Sequence, residues 1–89
     1  MAVMDGELLV ECKNGLGMQD EETAFNRVLI QKIVAVKSFM RRAGVSELTL
    51  TSEDAVGVIV LGVTDLWHVN SGEVKFSPVF YTLVNQLAR

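Results

Sequence analysis

The chain has 89 residues, a formal net charge of −3, 49% hydrophobic residues and a mean hydropathy of +0.32. That length allows one domain with one modest core, and the hydropathy argues against a disordered chain. One cysteine excludes an internal disulfide and a cysteine-rich zinc site, and a net acidic chain gives no general reason to bind nucleic acid or an anionic membrane. Counting the seven glycines and leaving out the one tyrosine takes the apolar share to about 56%, above the usual 45–50% or so. A small domain cannot hide that excess, so part of it is expected to face a partner.

The charges fall in blocks. Residues 1–22 carry six acids and one base, 23–46 carry five bases and no acid, and 47–73 carry five acids and no base. Such blocks can pair within one fold or between copies set head to tail. No basic stretch followed by an apolar core marks a signal peptide, and the 55–63 apolar run, which stops at Asp65, is about half the length of a bilayer span.

In chain order, Leu8, Cys12 and Leu16, with Leu9 beside them, predict a short helix over 5–16 that Gly15 and Gly17 end. Asp20 reads as the N-cap of a long helix to Ala43, with Glu21 and Glu22 in its first turn, Arg41 and Arg42 in its last, and Gly44 as its stop. Phe25, Val28, Leu29, Ile33, Val36, Phe39, Met40 and Ala43 share its apolar arc. Arg27, Lys37, Arg41 and Arg42 fall opposite, and Ile30 and Val34 fall with them, so both are expected to be exposed. Lys32 lies inside the apolar arc, either snorkelling to water or paired with a carboxylate, with Asp65 as the candidate.

VSELTL, residues 45–50, reads as a short extended connection or β-turn. Thr51-x-x-Asp54 resembles a capping box. It opens a helix through the most apolar run, Ala55 to Val69, whose β-branched content would also suit a strand. The cap and the continuation through Leu66 and Trp67 favour helix. Ile59, Val63, Leu66, Val56, Val60 and Trp67 form the deep face. Gly57, Thr64, His68, Leu61 and Asp65 form a weaker one, where Gly57, Leu61 and Asp65 are the expected approach for another helix or subunit. Gly57 and Gly62 each weaken a helix by about 1 kcal/mol, a cost expected where a neighbour passes close. Asn70-Ser71-Gly72 ends the helix and 73–76 link to the next. Ser77-Pro78 starts the last helix with an N-cap and a proline at N1, placing Val79, Phe80, Leu83, Val84 and Leu87 on one face. The expected fold is all-α, a compact four-helix bundle-like domain spanning 1–89.

Little here points to chemistry. His68 is the one histidine and has no partner constellation. Cys12 reads as a buried inert thiol. Asp65 is either a solvent-edge carboxylate or half of an ion pair that fixes helix or subunit register. Glu53 and Asp54 read as helix-start charges. No phosphate loop or nucleophile elbow is present, so catalytic, cofactor and metal sites are all expected to be absent. A helix-turn-helix around Gly44 would present Glu53 and Asp54 to phosphates, which argues against DNA reading.

Three stretches carry a family resemblance. They are Asp20-Glu21-Glu22 with Ala24, Leu29 and Ile33; Val60-Leu61-Gly62-Val63-Thr64-Asp65-Leu66-Trp67; and Ser77-Pro78 leading a helix with Leu83 and Leu87. In order and spacing the chain resembles the head-to-tail connector (adaptor) proteins of tailed bacteriophages over most of residues 7–88. It departs in its short VSELTL segment and in following Asp-Leu-Trp with His68-Val69-Asn70 where charged residues are usual. The resemblance implies a structural virion protein that assembles as a ring on the portal and links the DNA-filled head to stopper or tail proteins. It is then made in the bacterial cytoplasm and located at the head-tail junction, with no membrane and no sequence-specific nucleic acid among its partners. The candidate interface is Ile30, Val34, Arg41, Arg42, Gly57, Leu61 and Asp65, and the candidate ion pair is Lys32 with Asp65. The alternative is a small cytoplasmic helical interaction module or regulatory dimer.

Overall fold

The computed structural model describes residues 5–19, 21, 23–68 and 76–89, and among them every regular element is helical. Five helices follow in order: α1 (Asp5–Gly15), α2 (Asn26–Arg42), α3 (Glu47–Leu50), α4 (Glu53–Trp67) and α5 (Pro78–Leu87). The radius of gyration is 12.4 Å, close to the roughly 12 Å of a compact chain of this length. Helix α4 packs against each of the other four.

The apolar spacing explains these contacts. On α2 the buried residues are Leu29, Ile33, Val36 and Met40, recurring every three to four positions on one side. Leu8 and Cys12 do the same on α1. On α5, Phe80 and Val84 are buried, Leu83 and Leu87 are half-buried, and Val79 points out at 60% exposure. Phe76 joins the core just before α5 and stacks on Phe80 with ring centroids 4.3 Å apart; Phe39 lies 5.0 Å from Phe76 and 5.7 Å from Phe80.

Two helices end in Schellman motifs. After α1, Gly17 takes φ +75°, its N–H donates to the Asn14 carbonyl and the Met18 N–H to that of Lys13. After α2, Gly44 takes φ +103°, its N–H donates to the Arg41 carbonyl and the Val45 N–H to that of Met40. Ser77 caps α5 by accepting from the Phe80 N–H, with Pro78 at the first helical position.

Several expectations are corrected. Helix α2 begins at Asn26 behind a Phe25 N-cap that makes no side-chain cap bond, and its first turn holds no acid. Asp20 and Glu22 lie outside the described residues, and Glu21 sits in a turn. The Phe25 ring meets Trp67 edge-on at 5.4 Å, a tertiary contact at the place where the acidic capping signal would have continued the helix. Phe25 and Val28 are 42% and 40% exposed and Ala43 is exposed, so the buried arc of α2 is narrower than the apolar one.

VSELTL is not extended. Ser46 accepts from the Thr49 N–H and starts the single turn α3, which makes the helix count five. Thr51 therefore closes α3, with its hydroxyl donating to the Glu47 and Leu48 carbonyls, and it does not cap α4, whose N-cap is Ser52. The proposed helix end at residues 70–72 lies outside the described residues.

The deep face of α4 is Ala55, Val58, Ile59, Gly62 and Val63, while Val56, Val60, Leu66 and Trp67 are half-buried. The expected face counted large side chains, whereas the smallest residues mark the closest approach. A Cβ at Gly62 would lie 2.6 Å from Phe80 Cε1 and 2.9 Å from Val36 Cγ1. Gly57 is exposed, and a Cβ there would meet nothing within 4 Å.

The two glycines should therefore respond oppositely to alanine. Gly57→Ala is expected to stabilise by up to about 1 kcal/mol through helix propensity. Gly62→Ala is expected to destabilise by about 1–3 kcal/mol through overpacking. Urea denaturation of both variants checks this, and a shift in the same direction for both would contradict the packing described.

Candidate interaction surface

The outer arc of α2 carries Arg27, Ile30, Val34, Lys37 and Arg41, which the 3.6-residue period gathers into one narrow stripe. Ile30 and Val34 are 41% and 54% exposed, one turn apart. Arg27 and Arg41 are exposed and Lys37 is half-buried. The Arg41 guanidinium pairs with the Glu47 carboxylate through Nε to Oε1, with a second contact of 3.4 Å between Nη2 and Oε2. Arg42 is exposed beside a groove of about 300 Å³ that it shares with Ala35, Ser38, Phe39, Leu66 and Phe76.

The α4 candidates separate. Leu61 is half-buried and packs on the core, Gly57 is open to solvent, and Asp65 is engaged within the chain. The Asp65 Oδ2 accepts from both the Ser77 N–H and the Ser77 hydroxyl, each at 2.9 Å. Among the described residues its partners are thus neutral donors at the start of α5. Among the described residues no ion pair joins Lys32, which is half-buried, to Asp65. A carboxylate is well placed there, because the first N–H groups of a helix lack intrahelical acceptors and favour negative charge.

Sequence reasoning missed a second surface. Glu7, Val10 and Glu11 of α1 and Glu53 and Val56 of α4 line an open groove of about 480 Å³ with no base among them. The two helices run in the same direction here: a Cβ at Gly15 would lie 2.9 Å from Val60 Cγ1, one or two turns beyond the groove on each helix. The available signal is the outward face of α1, where Glu7, Val10 and Glu11 recur at helical spacing, whereas the spacing of Leu8, Cys12 and Leu16 marks only its buried side.

Chemically active groups are scarce in the described residues. None of them form a set of three or more His, Cys, Asp or Glu side chains able to hold a metal ion. No helix among them is long and apolar enough to cross a membrane. His68 is exposed at the C-cap of α4. Cys12 is fully buried, and its thiol is pushed up to about 11 by that burial, with the neighbouring Glu11 charge adding to it.

Two predictions follow from these placements. Asp65→Ala leaves two donors of Ser77 without their acceptor and is expected to cost the isolated chain about 1.5–3 kcal/mol, the range for hydrogen bonds to a charged group; chemical denaturation at neutral pH measures it, and an unchanged midpoint would show that the contact contributes nothing. For Cys12, the unfolded thiol ionises near 9.0 while the folded one holds its proton to about 11. The folded state therefore binds more protons in that window, and stability should fall as pH rises through it. The excess slope should vanish in Cys12→Ala, as read by denaturation at successive pH values.

Compared with protein-family models, with curated proteins and with solved structures, the chain matches none of them.

Proposed function

We propose that the protein is a structural assembly component of the tailed-phage head-to-tail connector type. Copies form a ring on the portal and extend it as a platform for stopper or tail-completion proteins. In this reading α1, α2, α4 and α5 form a four-helix bundle that serves as the repeated block, and α3 is the tight corner between its two longest helices. The protein acts at the head-tail junction of the virion, after assembly in the host cytoplasm, by surface complementarity and without a catalytic step. An acidic subunit also suits a channel through which packaged DNA must pass, because fixed cations would hold phosphate.

The observation that carries the reading is the exposure of Ile30 and Val34 on a basic helix face. The fully buried residues of α2 are Leu29, Ile33, Val36 and Met40, and Ile30 and Val34 beside them leave a large part of their apolar surface in water, which a partner would cover. The family resemblance in the Asp65-Leu66-Trp67 and Ser77-Pro78 stretches supplies the kind of partner.

The test is Ile30→Ser with Val34→Ser. Stability is expected to stay within about 0.5 kcal/mol, as for surface changes generally, while binding to a purified portal assembly is lost. Sedimentation of wild type and variant, with and without portal, reads both. A wild-type chain that stays monomeric at high concentration and never binds a portal assembly would overturn the reading. A stable two-fold dimer that buries Ile30 and Val34 would replace it with a small helical interaction module.

A further inference from the structure

The geometry points to a specific self-association: the α2 stripe around Ile30 and Val34 of one copy docks in the Glu7–Glu11–Glu53 groove of the next. The inference rests on the self-assembly reading above and names the two faces that meet. Three features support it, namely shape, apolar content and charge.

The groove lies between two helices that run in the same direction, and Val10, Val56 and three carboxylates line it together. Ridges of a third helix pack into such a groove through side chains spaced by three or four residues, the spacing of Ile30 and Val34. Arg27, one turn before Ile30, then brings its charge to the carboxylates of the lining. The two faces share no residue, since one belongs to α2 and the other to α1 and α4.

Charge selects this pairing over the symmetric ones. Two α2 stripes facing each other would bring Arg27, Lys37 and Arg41 of both copies together. Two grooves facing each other would oppose six carboxylates. Like charges across an interface oppose association, and opposite charges favour it. The Arg41 charge is already met by Glu47 and Lys37 is engaged as well, so the exposed Arg27 is the charge that faces the groove. The contact is heterologous, so a pair leaves one groove and one stripe unused and association can propagate.

Two measurements test it. In the first, Arg27→Glu and Glu11→Lys are made separately. Both positions lie in helices, and Glu at the start of α2 suits its dipole, so both variants should keep the wild-type circular dichroism. Each alone should self-associate more weakly by on the order of tenfold. Mixed in equal amounts they should recover, because each offers the face that complements the other. Variants that weaken singly but fail to recover on mixing would overturn the proposed pairing, as would variants with no effect.

In the second, Val34→Cys and Val10→Cys are oxidised separately and together at millimolar protein, the wild type serving as control for buried Cys12. A cross-link that needs both variants is expected. A cross-link within Val34→Cys alone would overturn the groove docking and leave self-association standing. No cross-link in any mixture, together with no binding to a portal, would remove both readings.

Discussion

The contact on which the rest of the structure depends is the approach of Phe80 and Val36 to the bare backbone at Gly62. With a Cβ there, two heavy atoms would sit at 2.6 and 2.9 Å, well inside ordinary contact. Its absence lets α2 and α5 lie against the same turn of α4. The Phe80 ring that fills the space is itself stacked on Phe76 and flanked by Phe39, so one missing methyl group organises an aromatic cluster drawn from α2, α5 and the segment just ahead of α5. Three residues along, on the same side of α4, Asp65 holds the first donors of α5. The same short stretch of α4 therefore positions α5 twice, by packing and by hydrogen bonding. The helix-propensity cost of glycine, about 1 kcal/mol, is offset by a core that no larger residue would permit.

What the sequence made legible follows the same logic. The strong periodicities of Leu29, Ile33, Val36 and Met40, the glycine stops at 17 and 44, and Ser77-Pro78 are local signals, and each stands where local physics puts it. VSELTL misleads because one helical turn is too short to show a period, and its start rests on one hydroxyl, Ser46 Oγ. The start of α2 misleads because the acidic residues imitate a first turn while Phe25 is engaged with Trp67 far along the chain. The partner of Asp65 lies twelve residues away, beyond the reach of any helix-spacing rule. Within the chain, glycine in α4 marks a close approach at Gly62 and not at Gly57; only the tertiary arrangement tells them apart.

At the surface, the alternating charge blocks divide by helix. The outward side of α1 is acidic, the outward side of α2 is basic, and the start of α4 is acidic again. Folding uses some of this charge locally. The Arg41–Glu47 pair spans six residues and is exposed on both sides, so it adds little to stability. Of the two candidate interface regions, the α2 stripe remains exposed, whereas the α4 region is partly consumed by the fold through Leu61 and Asp65. Sequence alone could not separate them, because an apolar or acidic side chain on a half-exposed helix face serves an internal or an external neighbour equally well.

Fold and assembly then become linked through a single helix. On α2 the inner residues Leu29, Ile33, Val36 and Met40 alternate with the outer residues Arg27, Ile30, Val34 and Arg41, so each face can change without rewriting the other. Their relative direction cannot: the angle between the α2 stripe and the α1–α4 groove depends on how closely α2 lies on α4, and Val36 against Gly62 sets that distance. In a heterologous contact the rotation between successive copies decides whether a chain of subunits closes or runs on as a filament. If the stripe docks in the groove, the packing at Gly62 governs closure as well as stability, and the most apolar helix of the fold shapes an assembly whose contact surface lies mainly on other helices.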